Sequence, residues 1–329
     1  MKKICLLYHR IYSATNDLHK LAVSPERFAE HVSWLDKTCA RLGPDGQVVG
    51  DHRRDWAVHI TFDDGYVDNF TNAMPILERY RWPATFFAVS RADPKRGFWW
   101  DELDKFILCE RPLPTEFSVR MEKKNFAWRT NLRVIEPDSL RVPWSIVDKA
   151  TPSPWHALYR QLCDFFKTLT PQEVEHTLDH LAKWSGVPRH SGNEPLLMTA
   201  EQLRATATQS GGLFTIGAHT RQHPSISCLD PQALEQEVHG SKTDLEAILG
   251  KRVEAFAYPY GRREDYPPEC IPRLQEWGFA RAFVNRPGTY GCHARPYELP
   301  RFSIRDWPVA EFERRLRWKV RLDFIYNHT

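Results

Sequence analysis

The chain has 329 residues and is nearly neutral, with 45 lysines and arginines against 42 aspartates and glutamates. It therefore lacks the one-sided basic charge with which nucleic-acid binders replace phosphate counterions. Hydrophobic residues make up 42% and charged residues 26%, enough apolar material for a sizeable core, while no run approaches the 18 apolar residues of a membrane span.

Seven cysteines, at positions 5, 39, 109, 163, 228, 270 and 292, show no CxxC spacing and are odd in number. They read as isolated thiols of a reducing compartment. Near the N-terminus only Ile4–Leu7 is apolar before Tyr8 and His9, too short for the core of a secretory signal. A cytoplasmic location is the expectation.

Taken in chain order, Ile4–Tyr8 suits a buried strand. Ser24-Pro25 then marks a helix start, with Phe28, Val32 and Leu35 on one face. Ala57–Phe62 reads as a strand, Met74–Tyr80 as part of a helix, and Ala84–Val89 as a third strand. The interval 91–196, rich in proline and tryptophan, interrupts the alternation. Within it Thr170-Pro171-Gln172-Glu173 opens a helix with Val174, Leu178 and Leu181 on one face. Beyond it, Thr199 and Gln202 predict a capping box for a helix to about Gln209, and Leu213–Ile216 predicts a strand. Asp230-Pro231 caps a helix whose apolar face is Leu234, Val238, Leu245, Ile248 and Leu249, ended by Gly250. Val253–Ala257, a helix near Pro272–Trp277, and Ala280–Val284 continue the series. Strands alternating with helices predict a parallel α/β architecture, a single domain over 1–329 with 91–196 inserted in one β/α loop.

Two motifs carry chemistry. Thr61-Phe62-Asp63-Asp64-Gly65 sets two carboxylates at the end of an apolar strand. Adjacent like charges in a partly dry site repel, and a cation on one leaves the other free to act as a base. Asp-Asp-Gly is also ordinary turn chemistry. His219 and His223 lie four apart, after another apolar run, in Gly217-Ala218-His219-Thr220-Arg221-Gln222-His223-Pro224. With Asp64 they make a two-histidine, one-carboxylate set that leaves positions for water and substrate.

These residues resemble the polysaccharide deacetylase family (NodB homology, carbohydrate esterase family 4). Thr61–Gly65 matches its TFDDG motif and His219–His223 its HTxxH motif. Phe256-Ala257-Tyr258-Pro259-Tyr260-Gly261 is similar to the third motif, RxPYG, and Asp306-Trp307 to the fourth. Leu7-Tyr8-His9-Arg10, Ser24-Pro25-Glu26-Arg27-Phe28 and Leu299-Pro300-Arg301-Phe302 resemble the poly-N-acetylglucosamine deacetylase branch. The resemblance covers roughly 1–90 and 197–318.

The resemblance implies a distorted (β/α) barrel that removes the N-acetyl group of an amino sugar. Asp64, His219 and His223 would hold one divalent metal ion, most often zinc. Asp63 would be the general base toward the attacking water, and the backbone N–H of Tyr260 would help hold the oxyanion. Two positions depart from the family. Its third-motif arginine is Ala257 here, and Arg301 stands as the replacement that orients Asp63; the other reading of Arg301 is a peripheral salt bridge. The fifth motif, LxH, has no match, so His9, which resembles the N-terminal histidine of the poly-N-acetylglucosamine branch, is expected to act as general acid, with His293 as runner-up; the other reading of His9 is a strand-end histidine bonded to a carboxylate. Trp307 is assigned to the substrate pocket, and Trp99 and Trp100 to its mouth.

The expected function is metal-dependent N-deacetylation in surface-polysaccharide or glycolipid biosynthesis. The substrate would be an N-acetylated sugar or oligosaccharide, or a lipid-linked or nucleotide-linked precursor. Peripheral association with membrane-bound polysaccharide assembly enzymes belongs to the same expectation. Hydrolysis of another C–N bond, a formamide or cyclic amide, is the alternative within enzymes. A carbohydrate-binding protein without catalysis is the alternative outside them, and the intact Asp63 argues against it.

Overall fold

The computed structural model describes residues 1–90, 94–95, 97–132, 137–189, 194–209, 211–291 and 294–326. They form two compact units, Met1–Ala92 with Leu196–Thr329, and Asp93–Pro195.

The first unit is built on seven parallel strands: β1 (Lys2–Tyr8), β2 (Trp56–Phe62), β3 (Ala84–Ala88), β4 (Phe214–Ala218), β5 (Ala255–Ala257), β6 (Arg281–Phe283) and β7 (Phe302–Ser303). Neighbours pair in the order β7-β1-β2-β3-β4-β5-β6. The segment leading into β7 bridges back to β6 at Phe283–Leu299, while Phe302 pairs with Leu6 of β1. The sheet thus curls into a distorted barrel, as the resemblance implies. Two short strands extend the sheet off this path, Ala40–Leu42 parallel to β2 and Val48–Val49 antiparallel to Ala40–Leu42. Helices α1 (Pro25–Thr38), α2 (Met74–Arg79), α3 (Ala200–Thr208), α4 (Pro231–Leu249), α5 (Cys270–Glu276) and α6 (Val309–Tyr326) belong to the same unit.

Period-two alternation along each strand separates two apolar faces. Ile4, Leu6, Tyr8, Val58, Ile60, Phe62, Phe86, Phe214, Ile216 and Ala218 share one core with helix residues Phe28, Val32, Leu35, Val238, Leu245, Leu274, Phe312 and Leu316. Cys5, Phe87, Ala257, Phe283 and Leu299 form a smaller cluster inside the curl. Burial on both faces is why these strands read as continuous apolar runs.

The predicted caps are present at α3, where Thr199 and Gln202 bond reciprocally, and at α4, where Asp230 accepts from Ala233 N–H. Gly250 closes α4 in the left-handed region at φ 66°. One local expectation changes and another is extended. Ser24 precedes α1 in extended geometry but does not cap it: its N–H and hydroxyl both donate to Asp306, 2.9 Å away. The helix expected from Met74 is preceded by a π-turn, Asn69–Ala73.

The second unit falls within the interval expected as an insertion. It holds helices Trp99–Ile107, Pro137–Arg141, Pro154–Phe166 and Pro171–Ser185, and a hairpin of Glu116–Arg120 with Asn125–Arg129. Thr170 and Glu173 form the capping box of the last helix. Trp99 stacks on Phe166 and Trp100 on Phe98, so both tryptophans pack among aromatic residues of this unit.

Candidate active site

The chemistry-bearing residues continue the inward-facing register of the barrel beyond the strand ends. Cys5 and Leu7 lead to His9, His59 and Thr61 to Asp63, and Gly217 to His219. All three follow the C-terminal ends of parallel strands, where catalytic groups of β/α barrels collect. Main-chain bonds hold the exits: Asp63 N–H donates to Tyr8 carbonyl at 3.0 Å, and His219 N–H to Ala88 carbonyl at 3.1 Å.

Asp63 and Asp64 are both buried. Arg301 meets Asp63 with a two-pronged ion pair, 2.7 Å to Oδ1 and 2.8 Å to Oδ2. Its own environment is dry, 1% exposed, between the rings of Phe87 and Phe283. Arg301 therefore lies in the interior against Asp63, not in a peripheral salt bridge. Burial pushes the Asp63 carboxyl up, but Arg301, His219 and His9 outweigh it and hold it below the usual range. Asp64 is likewise held down against burial, by hydrogen bonding to His219 and His223.

The chain bends sharply after each motif. Among the described non-glycine residues, six have positive φ, and four are Asp64 (75°), Thr220 (64°), His223 (61°) and Tyr260 (59°). Such conformations cost about 1–2 kcal/mol each and persist where surrounding contacts enforce them. Gly65 has φ 75°, and a Cβ there would lie 3.0 Å from Ala88 Cβ and 3.1 Å from Ala88 Cα. Gly65→Ala is therefore expected to destabilise the protein by about 2–4 kcal/mol, from left-handed strain plus overpacking, measurable by urea denaturation.

His219 and His223 converge on Asp64. Their Nε2 atoms stand 3.5 and 3.3 Å from Asp64 Oδ1, and one donor atom from each of the three residues lies within 4.8 Å of the others. Nδ1 of His219 faces Ala257 carbonyl at 2.8 Å. A carbonyl can only accept, so Nδ1 carries a proton, and Nε2 faces the carboxylate, with a lone pair there once its own proton is lost. A lone pair and a carboxylate oxygen this close repel unless a proton or cation lies between them. Oxygen and imidazole donors of this kind suit zinc. The residues thus fit a divalent ion. Burial lowers the His219 pKa, but Asp63 and Asp64 more than reverse this and raise it, whereas burial keeps that of His223 low.

His9 is half-buried. Burial lowers its pKa, opposed by the charges of Asp64 and Asp63, which places it within electrostatic reach of both carboxylates. Tyr260 packs its ring edge-on against His223, with centroids 4.8 Å apart. Trp307 sits under Arg315 and Lys319, and its carbonyl faces His31 Nε2 at 2.7 Å. Among the described residues, no hydrogen bond joins it to the histidine–carboxylate cluster. His293 lies outside the described residues.

Sequence reading missed the supports of these groups. Thr220 Oγ1 accepts from His223 N–H at 2.9 Å. Buried Glu237, on α4, accepts from the N–H groups of Arg221 and Gln222, both at 2.9 Å. The only available signal for Glu237 was an acid one residue before Val238 on the apolar face.

The family model for polysaccharide deacetylase matches residues 50–106 and 164–281, just over half of the chain. This chain belongs to the polysaccharide deacetylase family. The match reaches into both ends of the 91–196 interval, which the resemblance leaves out, and omits 1–49 and 282–329, which hold His9, Arg301 and Trp307. YxkH of Bacillus subtilis, named as a polysaccharide deacetylase homologue, is 35% identical over 92 residues, 26% of this chain and 32% of that one. Poly-beta-1,6-N-acetyl-D-glucosamine N-deacetylase of Escherichia coli K12 is 28% identical over 91 residues, 26% of this chain and 14% of that one. The chain thus spans a third or less of the curated relatives it matches. The structure of the deacetylase PplD from Streptococcus pyogenes, in complex with acetate, superposes with a TM-score of 0.55 at 15% identity, covering 95% of this chain and 97% of that one. That likeness shows the shared fold.

Proposed function

We propose that this deacetylase removes the N-acetyl group of an amino sugar, with one divalent ion, zinc, held by Asp64, His219 and His223. The observation that carries the reading is the Arg301–Asp63 pair beside that triad: a buried carboxylate kept ionised, oriented, and separate from the three ligands. A bound ion would polarise the amide carbonyl and lower the pKa of a water. Asp63 accepts the proton of the attacking water, and Arg301 fixes which way its oxygens point. The backbone N–H of Tyr260, carried on a left-handed residue, donates to the tetrahedral oxyanion. His9 gives a proton to the departing amine, so acetate and a free amino sugar leave.

The substrate we propose is a precursor of surface polysaccharide or glycolipid, lipid-linked or nucleotide-linked, met at membrane-bound assembly enzymes. The Escherichia coli relative named for poly-N-acetylglucosamine and the acetate held by PplD support the sugar and the acyl product. No described helix is long and apolar enough to cross a membrane. We place the enzyme in the cytoplasm, supported by the six cysteines among the described residues, all free thiols; activity recovered only from periplasm or medium would overturn that placement.

The deciding experiment pairs metal analysis with acetate release from N-acetylated sugars before and after chelation. One zinc per chain with chelator-sensitive acetate is expected. Formate or ring-opened product instead of acetate would move the reaction to another amide, and failure to bind metal under any loading would end the reading.

A further inference from the structure

The segment carrying His9 is clamped by the chain that follows the paired aspartates. Asn69 Nδ2 donates to His9 carbonyl at 2.8 Å and to Asp68 Oδ1 at 3.2 Å. Asp68 Oδ1 also accepts from Ile11 N–H at 2.7 Å, and Oδ2 accepts from Arg10 Nε at 2.9 Å. Asn72 Nδ2 donates to Ile11 carbonyl at 2.8 Å. On its other side, Arg10–Ile11 pairs with Ala22–Val23.

Asp68 and Asn69 are buried, 5% and 0% exposed. Asn69 begins the π-turn, a geometry often found at functional positions. Its amide nitrogen ties the backbone of His9 to a point five residues beyond Asp64. The carboxylates and the proposed acid thereby share one rigid frame.

We propose that Asn69, supported by Asp68, is a positioning residue that sets His9 for proton delivery to the leaving amine. The inference rests on the reading of His9 as general acid. An amine leaves only once protonated, whereas the phenolate of p-nitrophenyl acetate leaves without a proton. The ratio of amide to ester hydrolysis therefore reports the acid alone.

The test measures acetate release from an N-acetylglucosamine oligosaccharide and hydrolysis of p-nitrophenyl acetate by zinc-loaded wild type, His9→Ala, Asn69→Ala and Asp68→Asn. Zinc content and melting temperature are measured alongside. Asn69→Ala is expected to lower kcat on the amide by about 10- to 100-fold, with KM and zinc content little changed, and so to lower the amide-to-ester ratio as His9→Ala does. Asp68→Asn should shift the ratio the same way by a smaller factor, and it carries the test if Asn69→Ala fails to fold. An equal loss on amide and ester in the clamp variants, with His9→Ala selective, would overturn the positioning role alone. An unchanged ratio in His9→Ala would overturn the acid reading and this inference with it.

Discussion

Replacing His223 by alanine is expected to weaken zinc binding by at least about a hundredfold, since loss of mere outer contacts to a ligand already costs 10–100-fold, and to bring acetate release down to that of the chelated enzyme. The melting temperature of the metal-free chain should fall by only a few degrees, because the imidazole lies at a turn rather than within a strand. Isothermal titration with zinc, beside a melting curve, separates the two effects. Unchanged zinc affinity would remove His223 from the ligand set. The same titration has a pH signature. His219 holds its proton above the ordinary histidine value through Asp63 and Asp64, and zinc must displace that proton. Affinity should therefore rise with pH until the raised His219 pKa is passed, then level off. A pH-independent affinity across neutrality would contradict proton competition at His219.

Arg301→Ala should produce the largest loss of stability. It leaves Asp63 charged and buried without its partner, an arrangement that typically costs about 3–5 kcal/mol, readable by urea denaturation. Activity should fall as well, with a distinctive pH profile. Burial raises the Asp63 carboxyl and Arg301 is the first of the groups that pull it back down. Without Arg301 the carboxyl ionises at higher pH, so the acid limb of the activity profile moves upward and part of the lost rate returns in alkali. Arg301→Lys keeps a charge but loses the two-pronged geometry, so it should restore more stability than rate. A variant with wild-type stability and an unshifted acid limb would take from Arg301 its role in holding Asp63.

Much of the barrel was legible in the sequence, because its strands are short, doubly buried and apolar, and its helices announce themselves by caps such as Thr199, Asp230 and Gly250. The candidate carboxylate and histidine pairs were legible for a related reason: polar residues that interrupt an apolar run at a strand end are costly without a partner. Ser24 shows the limit of such local reading. It has the right residue type for a cap, yet bonds Asp306, 282 positions away. The π-turn at Asn69 was equally hidden, since its bonds run to carbonyls of residues 9 and 11.

By itself the sequence showed Asp63, Asp64, His219 and His223 at the ends of strands of a parallel array, and its family resemblance added His9, Tyr260 and Arg301 as candidates. Only the tertiary structure decided which of them meet. The closing segment into β7 crosses from β6 to β1 and carries Arg301 to Asp63, 238 residues earlier. No periodicity encodes that pairing, because it depends on the curl of the sheet. The clamp on His9 has the same origin. A backbone carbonyl has no sequence signature, so the side chains that hold it become visible only once two distant strand ends lie side by side.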